Sequence, residues 1–154
     1  MRAKDEIQQR YEAYREEIAK VIANAKPGAG LFGIGISPKN DPCNDRFFTD
    51  IQNSLAGIAE RVPSSDEAEE VMSYIYTAQE SRRQDFVFFV LSAIHGMTLP
   101  LVKYLTPEAA GRLADAYEEN VKRVERMPVQ QQLLKELYER AGRQPKKKGL
   151  FGRR

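Results

Sequence analysis

The chain alternates stretches of helical spacing with short breaks built on proline and glycine. Residues 3–25 set the pattern. Ile7, Tyr11, Tyr14, Ile18, Val21 and Ala25 recur at spacings of four and three, which on a helix gives one apolar stripe. Glu12, Glu16, Glu17 and Lys20 fall off that stripe. Lys26-Pro27-Gly28 stops the helix. Asp41-Pro42 supplies an N-cap and a first-turn residue for a second helix. Its expected apolar face is Phe47, Phe48, Ile51, Leu55, Ile58 and Val62, and Pro63 ends it. Ser64 and Glu67 have capping-box spacing. The third helix carries Val71, Met72, Tyr74, Ile75 and Ala78 and is expected to reach Arg83.

Phe86 to Ile94 is apolar at every position but Ser92. A helix without a polar face belongs inside a core, so this segment is expected to be the central element. Its composition also suits a buried strand, but no other strand-like run exists to pair with it. His95-Gly96 reads as its C-terminus, with Gly96 free to take positive φ. Thr98 to Leu105 reads as a short helical connector. Thr106-Pro107-Glu108 opens a helix with Ala109, Leu113, Ala116, Tyr117, Val121 and Val124 inward. Pro128 opens the last one, striped by Val129, Leu133, Leu137 and Ala141, with Leu134 and Tyr138 beside them; Gly142 stops it. The pattern predicts an all-α, single-domain bundle of five or six largely antiparallel helices over residues 1–142, with a basic tail over 143–154.

Charge changes this picture in one respect. The whole chain carries +2, yet residues 1–139 hold 17 basic and 22 acidic side chains, a net of −5. The body is acidic and the tail basic. The tail, GRQPKKKGLFGRR, sets Lys146, Lys147, Lys148, Arg153 and Arg154 around Leu150 and Phe151. Cations around an aromatic suit an anionic membrane surface, a nucleic acid or an acidic protein patch. The acidic body argues against nucleic acid. The 17 residues from Phe86 to Val102 contain no Asp, Glu, Lys or Arg. They are too few to span a bilayer and are punctuated by Gly96 and Pro100. With a single cysteine, Cys43, no intrachain disulfide can form, and the expected compartment is the reducing cytoplasm.

Gly28, Gly30 and Gly33 spell G-x-G-x-x-G. A dinucleotide fingerprint needs a strand before the glycines and a helix after them. Here a helix precedes and Ile34-Gly35-Ile36-Ser37-Pro38 follows, so no nucleotide cofactor is expected. The loop over 26–40 is apolar instead. Leu31, Phe32, Ile34 and Ile36 must bury somewhere, either plugging one end of the bundle or docking a partner.

Three residues are candidates for chemistry. Cys43 falls in the first turn of a helix, where the dipole favours a thiolate, but Asp41 and Asp45 oppose ionisation. A cation for it could come only from afar, from His95, Arg82 or Arg83. His95 beside an apolar helix reads most simply as a core or cap histidine. Asp41, Asn44, Asp45 and Asp50 miss the calcium-loop pattern, and no metal is expected. The resulting expectation is a non-enzymatic interaction domain that meets a protein partner through Leu31, Phe32, Ile34, Ile36 and the tail. A homodimer through the heptad-like stripe of residues 3–25 is a further expectation. The rival is a small-molecule-binding protein or enzyme with a pocket under residues 26–45, using Cys43, Asp45 and His95.

Overall fold

The computed structural model describes residues 2–24, 37–78, 86–121 and 126–144. It is an all-α single-domain bundle, with no strand among the described residues. Helix α1 spans Ala3–Asn24, α2 Pro42–Glu60, α3 Ser65–Thr77, α4 Phe86–Ile94, α5 Pro107–Asn120 and α6 Pro128–Ala141. A 3-10 turn, Pro38–Asn40, precedes α2, and a ten-residue 3-10 helix, His95–Tyr104, continues directly from α4.

The helix starts obey the sequence. The Asp41 side chain accepts from the Cys43 N–H, Ser64 from that of Glu67 and Thr106 from that of Ala109. Proline occupies the first turn of α2, α5 and α6. Gly142 closes α6 in the left-handed conformation at φ 72°.

Residue pairs fix the directions. Tyr14 with Asn44 and Arg10 with Ser54 show α1 and α2 antiparallel. Arg140 with Leu105, and Tyr138 with Glu118, do the same for α5 and α6. Across the bundle, α3 runs alongside both α1 and α5 in their own direction, as Arg2–Glu70 with Tyr11–Tyr74, and Ser65–Thr106 with Glu69–Arg112, show. The stripe of α1 (Ile7, Tyr11, Tyr14, Ile18) is buried within this bundle, where α2 and α3 pack against the helix.

Several expectations need correction. The central element is α3, which packs on α1, α5 and the 3-10 helix and buries Ala68, Val71, Met72, Ile75 and Tyr76. It ends at Thr77, short of Arg83. Helix α4 is peripheral: Val87, Leu91 and Ile94 face inward, but Phe89 is 53% exposed. Val62 does not extend the face of α2. It follows the helix at φ 52°, the position glycine usually takes, and is 69% exposed. In α6 the inward residue of the first turn is Gln130, while Val129 is 39% exposed.

Gly96 takes no positive φ; among the described residues only Gly142 and Val62 do. A Cβ on Gly96 would fall 2.2 Å from Val129 Cγ2, so glycine is there to let α6 approach. The switch from α to 3-10 geometry has a local cause. Pro100 has no N–H for the Gly96 carbonyl, and its ring would collide with that carbonyl in an α-helix.

Candidate functional site

The 3-10 helix is held by a buried polar cluster centred on His95. The Gln130 carboxamide oxygen accepts from the Met127 backbone N–H at 2.8 Å, which turns its amide nitrogen toward His95. That nitrogen lies 3.1 Å from His95 Nδ1, and Tyr117 Oη lies 2.8 Å from the same atom. Because the amide can only donate there, Nδ1 is an acceptor and the ring hydrogen sits on Nε2. Nε2 is buried and makes no hydrogen bond. The Thr98 hydroxyl donates to the His95 carbonyl at 2.7 Å, so Tyr76 Oη, 3.2 Å away, is the donor to Thr98. The rings of Tyr76 and Tyr117 meet edge-on at 4.7 Å.

Burial drives the His95 pKa down to about 3, although the Ile75 backbone favours the charged form. Burial likewise raises the phenols of Tyr76 and Tyr117. This cluster is therefore neutral across the physiological range. It is a positioning device that fixes the 3-10 helix against α3, α5 and α6.

Cys43 belongs to a different neighbourhood. It is a buried free thiol lining a hollow of about 260 Å³ between α1 and α2, together with Arg10, Tyr14, Glu17, Arg46 and Asp50. Burial first, then the hydrogen bond to Asp41, pushes the thiol up to about 11. Arg46 opposes that shift, but its guanidinium is paired with Glu17. Asn44 spends its amide on the carbonyls of Pro38, Lys39 and Asp41, and its oxygen accepts from Tyr14 at 2.6 Å. Asp45 is exposed and lies outside the hollow. The structure thus gives Cys43 and His95 separate surroundings. Leu31, Phe32, Ile34, Ile36, Arg82, Arg83, Lys146, Lys147, Lys148, Phe151, Arg153 and Arg154 lie outside the described residues.

The outer side of α4 and the 3-10 helix carries a feature that sequence reading missed. An apolar groove of about 580 Å³ runs between α2, this segment and the start of α6. Its walls include Leu55, Ala93, Met97, Pro100 and Val129, and Gln52 is its polar edge. No acidic or basic side chain lines it. Ala93, Met97 and Pro100 line the groove together, and Phe89 lies one α-helical turn before Ala93. The signal was present in the 17-residue uncharged run: a helix apolar on all sides has a second face to cover as well as a core face. Among the described residues, no helix is long and apolar enough to cross a membrane.

Compared with protein-family models, curated proteins and solved structures, the chain finds no match.

Proposed function

We propose that this protein is a non-enzymatic interaction domain that docks a protein partner in the apolar groove between α2, the 3-10 helix and α6. The observation that carries this reading is an apolar groove whose lining has no acidic or basic side chain, with the exposed Val129 on its wall and the exposed Phe89 one helical turn before its Ala93. Apolar surface of this kind gains free energy by leaving water and, rimmed by polar residues, marks docking sites. The titratable groups support the same reading. A thiol titrating near 11 stays protonated and weakly nucleophilic, and an imidazole titrating near 3 neither takes up nor delivers protons at neutral pH.

On sequence grounds, Leu31, Phe32, Ile34 and Ile36 and the basic tail add contact surface to this role. We read the protein as cytoplasmic, a compartment with which a single cysteine and no intrachain disulfide are compatible. The rival, a small-molecule site beneath residues 26–45, draws support from the hollow beside Cys43, but the raised thiol pKa weighs against covalent chemistry there.

Capture from a lysate of the native organism tests the reading, with immobilised wild-type chain against Phe89→Glu. The expected result is a protein retained by the wild type and lost by the variant. Identical captured sets, with both chains folded, would contradict the proposal.

A further inference from the structure

We propose that the hollow between α1 and α2 binds a small zwitterion, a neutral α-amino acid with an apolar side chain. The site lies apart from the groove, so failure of either leaves the other untouched. Its geometry follows from spacing. On α1, Arg10, Ala13 and Glu17 are three and four residues apart, and on the antiparallel α2, Arg46, Asp50 and Ser54 are each four apart. Such spacings put each set on one helical face. Glu17 is paired with Arg46 at one end of this seam, and Arg10 Nε donates to Ser54 Oγ at 3.3 Å at the other. By the same spacing Asp50 comes level with Ala13, whose methyl offers no donor. No hydrogen bond or ion pair joins the Asp50 carboxylate to another described residue. A methyl between two long side chains leaves room for the hollow of about 260 Å³.

Charge selects the ligand. Arg10 and Asp50 line the same hollow with opposite charges and are not paired with each other. Among the described residues, Arg10 is engaged only through Nε, which leaves the two terminal amino groups of its guanidinium, a fork that fits a carboxylate. The Asp50 carboxylate accepts from an ammonium group. Asp50 and Ser54 stand one turn apart, about 6 Å along α2. A carboxylate held at Arg10 and an ammonium held at Asp50 are then a few ångströms apart, as they are within one α-amino acid. The lining holds two guanidiniums, Arg10 and Arg46, and two carboxylates, Glu17 and Asp50. A ligand of zero net charge keeps that balance, whereas a lone anion or cation upsets it. The rest of the wall is apolar and neutral. The Tyr14 and Phe47 rings stack at 4.3 Å, and the Cys43 thiol, pushed up to about 11, carries no charge. An apolar ligand side chain gains free energy by leaving water there.

Titration of the isotope-labelled full chain, followed by its backbone amide shifts, tests the proposal with L-leucine, L-methionine and L-phenylalanine as probes. At least one of them should give saturable shifts at Ala13, Phe47 and Asp50 while Gly142 stays unmoved. The N-acetyl and amide derivatives of that amino acid each lack one charge and should bind at least about ten-fold more weakly. Arg10→Gln and Asp50→Asn should weaken the parent by a similar factor, and Ala13→Leu, which fills the hollow, should abolish binding. All three positions are exposed, so the far-UV CD spectra should match that of the wild type. The derivatives are compared on the wild type and need no variant. No saturable shift from any of the three amino acids up to about 10 mM overturns the proposal. So does a derivative that binds as tightly as its parent, or binding indifferent to Arg10→Gln or to Asp50→Asn.

Discussion

At the scale of the residue, His95 shows how burial decides chemistry. Its Nδ1 is held as an acceptor by an amide that cannot turn, since the other end of Gln130 is bound to the Met127 backbone. Protonating Nδ1 would set N–H against N–H in a site without water access. The pH consequence has a definite sign. With a folded pKa near 3 and an unfolded value near 6.5, the unfolded chain binds more protons between these limits. Stability is therefore complete above about pH 6.5 and falls as pH drops toward 3, by on the order of a kcal/mol per pH unit. Urea unfolding at a series of pH values should show that slope, and His95→Gln should reduce it. A wild-type slope unchanged by the substitution would mean that carboxylates alone govern acid unfolding.

At the scale of the element, the groove depends on how closely α6 approaches the 3-10 helix. Gly96 sets that distance. In Gly96→Ala, the new methyl meets three atoms of Val129 between 2.2 and 3.3 Å, so rotating one branch cannot clear it. We expect a loss of about 1–3 kcal/mol, partly recovered in the double variant with Val129→Ala. Strict additivity in a thermal-unfolding cycle would contradict the packing described.

These same elements show what could be read from sequence. Caps, prolines and the stripe of α1 are local signals, and Asp41, Ser64, Thr106 and Gly142 sit where spacing puts them. The role of α4 was less legible. Periodicity counts apolar positions but does not say which are covered, so a helix with one buried and one exposed apolar face reads like a buried one. Val129 and Gln130 were exchanged for a similar reason. Hydropathy favours valine inside, whereas the buried histidine needs an amide beside it. His95, Tyr117 and Gln130 meet only through the fold, and no short-range spacing announces them.

At the scale of the whole molecule, the outer faces of the bundle divide by charge. The outward sides of α1, α3 and α5 are polar, tied by exposed pairs such as Arg112–Glu69 and Arg143–Asp115 that contribute little individually. The groove, by contrast, has no acidic or basic side chain in its lining. The central claim is that this side is covered when the protein works and is not merely tolerated. Hydroxyl-radical footprinting of the wild-type chain, alone and in a lysate of the native organism, tests it most directly. Ile22 and Val62, exposed apolar side chains on other elements, serve as internal references. The account predicts that Phe89, Met97 and Pro100 lose reactivity in the lysate while Ile22 and Val62 keep theirs. Protection that falls on Ile22 or Val62, or reactivity at Phe89 and Met97 that the lysate leaves unchanged, would contradict it.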